Sequence, residues 1–284
     1  VTATAVGLPT EAVTRTSDHR LLDALVQVGR TLLFTALSLA SALVIWVGFI
    51  KIFNLNPYYA KSPAAVYDLL FEGSTAAANR SVLWSGLLTT LRDAALGLVT
   101  GTVAAVLVAA GVVLRKGFSQ TVMPVAIALR SVPLVAMTPL LSLIFGQGLL
   151  TVAIISGIVT FFPTLVNLVQ GLRAVPAQSF DLFNAYGASE LSVLRRLQAP
   201  YAVPALFTSA RIAAPGALLG AILAEWLATG QGLGYIMITS SSESQYALLW
   251  ATIVTITVVS VLVYNLVGLV EKGVAARFGT AVAL

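Results

Sequence analysis

The chain of 284 residues has no cysteine and a single histidine. Without cysteine there is no disulfide framework, no thiolate metal site and no cysteine nucleophile. One histidine, His19, excludes multi-histidine metal sites and most Ser–His–Asp arrangements; it reads as a solvated residue. No G-x-x-x-x-G-K-[ST] stretch occurs, so no P-loop for ATP is present. No catalytic or metal-ligating constellation is visible. Charge is also scarce. Asp, Glu, Lys and Arg make up 10% of the residues, against roughly 25% in soluble domains.

Apolar sequence takes the place of charge. The chain is 58% hydrophobic, with a mean hydropathy of +0.94. A soluble fold of this size could not bury so much apolar surface. The composition implies an all-α integral membrane protein. A bilayer core about 30 Å thick needs roughly 20 helical residues, and six segments qualify: Leu32–Phe53, Leu87–Leu114, Thr121–Phe145, Leu149–Leu172, Ala202–Leu227 and Leu248–Val270. With the N-terminus inside, ten Lys and Arg fall on the inner side and four (Lys51, Lys61, Arg80, Arg92) on the outer; Arg130 and Arg211 lie within spans. The positive-inside rule then places both termini in the cytoplasm and accounts for the net charge of +5 without nucleic acid.

The organisation expected is a disordered tail (1–17), an interfacial helix (18–31), a membrane domain (32–275) and a short cytoplasmic tail (276–284). Leu21, Leu22, Leu25, Val26, Leu32 and Leu33 recur at helical spacing opposite Asp18, Arg20, Asp23, Gln27 and Arg30, the pattern of an amphipathic helix on the membrane surface. A cleaved signal peptide is not expected, because the apolar stretch that follows is too long. In the outer loop after the first span, Ser62 can cap a short helix, Pro63 suits its first turn and Gly73 stops it.

The longest internal hydrophilic stretch, residues 173–200, lies between the fourth and fifth spans on the inner side. Pro176 opens a short helix and Gly187 ends it. Ser189 caps a second helix with Leu191, Val193, Leu194 and Leu197 on its apolar side, and Pro200 ends that one. Two short helices bent at a glycine, with apolar surface beside charge, suit docking onto a cytoplasmic partner or packing on the protein itself or the lipid interface.

This segment resembles the "EAA" loop of permease subunits in bacterial ABC importers: E-A-A, three residues, G, nine residues, I, one residue, L-P. Aligned on Gly187, Asp181-Leu182-Phe183 stand for E-A-A, Leu197 for the isoleucine and Ala199-Pro200 for L-P. The spacing is intact; Leu182, Phe183 and Ala199 depart from the pattern and Asp181 shortens the acid. Further stretches resemble the nitrate, taurine and sulfonate branch: Lys61-Ser62-Pro63, Thr90-Leu91-Arg92, Arg130-Ser131-Val132-Pro133 with Pro139 and Phe145-Gly146, Phe161-Phe162-Pro163 with Asn167 and Gly171, Ala224-Glu225, and Gly230-Gln231-Gly232-Leu233-Gly234-Tyr235. The resemblance implies a type I importer permease with a five-helix core (spans two to six). It also implies a second permease subunit, two cytoplasmic ATPases docked on the 173–200 loop, and an extracytoplasmic binding protein that delivers a small solute. ATP and Mg would belong to the ATPases, with no cofactor in this chain, which would be a non-enzymatic subunit of the cytoplasmic (inner) membrane.

Within the spans a few residues stand out. A charge at mid-span costs roughly 2.5–3.5 kcal/mol by insertion scales, so Arg130 faces the bundle or a wet cavity, as a pathway residue or in a structural pair, or it snorkels to the interface. Pro133 and Pro139 bend the third span or open it toward a cavity. Glu225, closing the fifth span, reads as part of an outer gate with the turn containing Gly232 and Gly234, or as an interfacial acid. The alternative to an ATP-driven importer is an ion-gradient-driven secondary transporter, which usually shows more spans, internal repeats and intramembrane acids.

Overall fold

In a computed structural model of the chain, the residues described are Leu33 and 37–278. The expected tail 1–17, the interfacial helix 18–31 and residues 279–284 lie outside them. All regular structure among the described residues is helical. They divide into two units between Ala65 and Val66.

In the first unit, α1 spans Leu37–Ile52 and exposes Val44, Ile45 and Phe49. Its residues are apolar nearly throughout, as a lipid-facing helix requires. A loop follows, and the Ser62 hydroxyl accepts the Ala65 N–H at 3.3 Å, the N-cap expected from the sequence. Helix α2, Pro63–Tyr67, begins here. It runs on as a π-helical turn to Glu72 and stops at Gly73, whose N–H donates to the Asp68 carbonyl.

The second unit contains α3 (Ala76–Leu114), α4 (Lys116–Arg130), α5 (Leu134–Phe145), α6 (Leu149–Arg173), α7 (Ala177–Ala185), α8 (Glu190–Thr229), α9 (Gly232–Ser242) and α10 (Tyr246–Phe278). Among the described residues, α3, α6, α8 and α10 are long and apolar enough to cross a membrane. Three sequence expectations change. Helix α3 starts at Ala76, not Leu87, because the Ala-rich run after Thr75 extends it. The third span is not continuous: Pro133 lacks an N–H and disfavours helix in the residue before it, so α4 ends at Arg130 and α5 begins at Leu134. Pro200 does not end a helix; α8 passes through it. The π-helical turn Leu194–Gln198 widens the backbone where the ring of Pro200 would meet a carbonyl one turn back. At the other end of the chain, α10 continues to Phe278.

Lipid tails give helices no hydrophobic reason to associate, so close backbone contact between small residues must hold them together. The α3–α6 seam is built that way. A Cβ on Gly97 would collide with Ser156, and one on Gly101 with Thr160 and the Gly157 carbonyl. Hydroxyls then bridge the backbones: Thr160 Oγ1 donates to the Gly97 carbonyl at 3.0 Å, Thr100 Oγ1 to Ala153 at 3.1 Å and Ser156 Oγ to Ala217 at 2.9 Å. Gly220 of α8 meets Ser156 from the other side.

These pairings fix the directions. Gly97 faces Ser156 and Gly101 faces Thr160, so α3 and α6 run parallel. On α8, Gly220 faces Ser156 while Ala202 and Ala205 face Gly171, so α8 is antiparallel to α6. Helix α10 is antiparallel to α8: Ala217 and Leu218 cluster with Val259 and Val263, and Arg211 pairs with Glu271 at 3.1 Å. Because α3 and α6 are parallel, the intervening α4 and α5 must carry the chain back along the bundle.

Candidate functional site

The loop between α6 and α8 has the expected bend. Helix α7 ends with Gly187 in the left-handed region at φ +66°. The Ala188 N–H donates to Phe183 O at 3.0 Å and the Gly187 N–H to Asn184 O at 2.9 Å, the two bonds of a Schellman motif. The Ser189 hydroxyl caps the next helix by accepting the Ser192 N–H at 3.4 Å.

The loop has two faces. Inside, Val175, Val193 and Leu197 form a small core with Phe180, Phe183 and Ala188. The buried Leu194 joins the main core beside Leu168 and Leu172, and Gln198 Nε2 donates to the Leu172 carbonyl at 3.1 Å. Outside, Asp181 and Gly187 are exposed, as are Leu182 at 56% and Tyr186 at 84%. Of the seven residues aligned to the motif, Phe183 and Leu197 thus hold the helix pair together, Gly187 turns it, Asp181 and Leu182 lie on its outer face, and Ala199 and Pro200 lie within the long helix.

A second cluster surrounds Glu225, which is 0% exposed. Its Oε2 accepts from Thr90 Oγ1 at 2.9 Å and from the Gly234 N–H at 2.8 Å, while Thr90 Oγ1 accepts the Leu233 N–H at 2.9 Å. One hydroxyl and one carboxylate therefore tie α3, the end of α8 and the start of α9 together. The chain turns at Gly230 and Gln231; Gly232 and Gly234 belong to the first turn of α9 rather than to the turn itself. A Cβ at Gly232, where φ is +84°, would strike the Glu225 carboxylate, and one at Gly234 would strike the Ile222 carbonyl. Both glycines exist to let the helix start approach the acid. Beside the cluster, Arg92 pairs with the buried Asp93 at 3.1 Å, on the wall of a cavity of about 180 Å³ that also meets Gln147, Thr229 and Gln231.

A third feature lies at the break between α4 and α5. Arg130, at the last position of α4, and Pro133 border a cavity of about 490 Å³ whose other walls come from α5, α6 and α8, including Met137, Phe162 and Ile212. Pro139, inside α5, does not line it. Arg130 and Glu225 are not paired; the ion pairs among the described residues are Arg92–Asp93 and Arg211–Glu271.

The structure also gives a structural role to positions to which the sequence reading gave none. Thr90 is the centre of the Glu225 cluster. Arg211 bonds Glu271 and stacks 4.4 Å from the Tyr264 ring centroid. For Gly97 and Gly101 a signal was present, since G-x-x-x-G in an apolar helix marks a helix-packing face. For the Arg211–Glu271 pair the sequence held only two charges sixty positions apart.

Residues 97–276 match the family model described as "Binding-protein-dependent transport system inner membrane component". A probable ABC transporter permease protein of Haemophilus influenzae is 29% identical over 222 residues, covering 78% of this chain and 88% of its own. The riboflavin transport system permease protein RibX of Chloroflexus aurantiacus is 28% identical over 230 residues, covering 81% and 84% respectively. The MetNI methionine ABC transporter, in an inward-facing conformation, contains a chain that superposes with a TM-score of 0.61 at 18% identity, covering 69% of this chain and 97% of that one.

Proposed function

Because this chain belongs to the family of binding-protein-dependent transport system inner membrane components, we propose that the α7–Gly187–α8 bend is where ATP hydrolysis in a separate subunit is coupled to movement of its membrane helices. The chain is a permease subunit of an ABC importer with the type I fold. The observation that carries the coupling role is the two-faced bend. Its inner face is fastened to α6 through Gln198–Leu172 and to the main core through Leu194, so a push on its outer face is transmitted to the long helices. That outer face offers Asp181, Leu182 and Tyr186 to a cytoplasmic ATPase.

The fuller assembly we propose is two permease subunits, two ATPases and an extracytoplasmic binding protein. In each permease α4 and α5 form one discontinuous passage, the membrane is crossed six times, and both termini are cytoplasmic. ATP and Mg act in the ATPases, and this chain does no chemistry on the solute. The named relatives do not give the solute: RibX carries riboflavin in its name, and this chain's own pathway residues must be judged for themselves.

The test is copurification from native membranes. The expected result is an ATPase recovered with the native chain and lost with Gly187→Leu, in which a side chain at φ +66° strains the bend by about 1–2 kcal/mol while insertion stays normal. ATP-driven uptake retained by that variant would count against the coupling role. A native chain recovered without any ATPase would likewise count against coupling through this bend.

A further inference from the structure

Three helix ends meet at the end of the bundle opposite the 173–200 loop. Helix α5 stops at Phe145 and α8 at Thr229, while α6 starts at Leu149. Between them lies the cavity of about 180 Å³ that Arg92 and Asp93 border together with Gln147, Gly148, Thr229 and Gln231. The last carbonyls of a helix have no intrahelical partner and carry the negative end of its dipole. Two such ends, those of α5 and α8, abut this cavity against one helix start.

The side chains strengthen that bias. Asp93 is 2% exposed, and both bonds from Arg92 go to its Oδ1, at 3.1 and 3.2 Å. Its Oδ2 accepts nothing among the described residues. Thr229 Oγ1 is buried and has no partner. One turn back on α8, Glu225 Oε1 is likewise buried and unpartnered. Arg92 is 60% exposed, so water and salt screen much of its charge. Counted as charges, Arg92, Asp93 and Glu225 leave a single negative excess. A buried acid with an open oxygen costs free energy until a donor or a cation reaches it.

The ligand follows from this wall. Acceptors outnumber donors, so it is a cation, and one excess charge matches a monovalent one. Helix C-terminal ends and oxygen ligands of this kind coordinate sodium within membrane proteins. The cavity has room for several waters, so an ion enters with part of its hydration shell. We propose that this cavity is a monovalent-cation site in which Asp93 Oδ2 and Thr229 Oγ1 hold the ion, the ends of α5 and α8 add to its field, and Gln147 and Gln231 stand at the mouth. Occupied, it ties the ends of α5 and α8 to α3. An alkali ion and the ammonium group of a lysine on a docking partner have the same chemistry. The site stands apart from the coupling role of the bend.

The test uses the full-length chain purified in neutral detergent. Sodium, potassium or methylammonium chloride is exchanged for choline chloride at constant total salt. Screening is then fixed, and choline offers no N–H to the acceptor wall. The expected result is an unfolding midpoint that rises with the logarithm of the cation concentration, by about 3 °C over the range. Asp93→Asn should remove that dependence, whereas a merely structural Asp93 would lower the midpoint equally in every salt. Thr229→Val, at a half-buried position, should weaken binding about tenfold and carries the test should Asp93→Asn not fold. Arg92→Gln removes the neighbouring positive charge and should tighten binding about fivefold.

The salts also name the source. A response to sodium or potassium, with radioactive sodium bound saturably, assigns the site to an inorganic ion. A response to methylammonium alone assigns it to an ammonium group. Midpoints that match choline in all three salts would overturn the site. So would a cation dependence that survives Asp93→Asn, binding unchanged in Thr229→Val, or weaker binding in Arg92→Gln. Loss of the site in this way leaves the permease reading standing.

Discussion

At the scale of single residues, the Glu225 cluster shows how little sequence is needed to tie three helices. Thr90 Oγ1 gives its proton to Glu225 Oε2 and takes the Leu233 N–H, so one hydroxyl serves both a carboxylate and a helix terminus. Thr90→Val keeps the shape and removes both bonds. It leaves a buried N–H and weakens the support of a buried carboxylate, each unsatisfied group costing roughly 1–3 kcal/mol. The thermal unfolding midpoint of the purified protein in neutral detergent should fall by several degrees, and Thr90→Ser should recover most of the loss. A midpoint unchanged in the valine variant would mean that the cluster does not hold α9. Glu225 itself was legible as an unusual acid at the end of a span. That its partner would be Thr90, 135 positions earlier in the chain, was not, because no local pattern links residues that meet only when α3 and α8 pack.

At the scale of elements, the bend at Gly187 and the seam between α3 and α6 contrast in legibility. The bend is local: a proline, a glycine and a serine at fixed offsets specify the Schellman turn and the cap that the structure shows. Pro200 misled because a proline's effect depends on the backbone one turn upstream, and the π-helical turn Leu194–Gln198 absorbs it. The seam depends on the partner helix. Gly97→Ala places a methyl group against Ser156, and overpacking of this kind costs typically 1–3 kcal/mol. The variant should show a lower yield of monodisperse protein by size-exclusion chromatography. Adding Ser156→Gly should restore part of that yield, although the bond to Ala217 is lost with the serine. If the double variant is no better than Gly97→Ala alone, close approach at this point is not what holds α3 to α6.

At the scale of the whole molecule, direction matters more than the number of helices. The parallel run of α3 and α6 requires the chain to return between them, and only α4 and α5 are available. Each is too short to cross a core of about 30 Å alone: their 15 and 12 residues span about 22 and 18 Å at 1.5 Å per residue. The same parity keeps the ends of α3 and α6 on the side of the 173–200 loop, where Arg115, Arg173, Arg195 and Arg196 collect. Reporter fusions should therefore read cytoplasmic after Arg115 and after Arg173, and extracytoplasmic after Phe145. A cytoplasmic signal after Phe145 would contradict the return through α4 and α5.

Hydropathy, charge asymmetry and local helix signals determined by themselves that the chain spans a membrane, which way it is expected to face and where the bend between α6 and α8 lies. These depend on neighbours within a few residues or on sums over a segment. The tertiary structure alone decided that Glu225 is bonded to Thr90, that Arg211 answers Glu271, and that Arg130 stands unpaired beside a cavity. Each of these is set by which helix faces which, and that choice is made through small residues and hydroxyls whose meaning appears only when two backbones come close enough to touch.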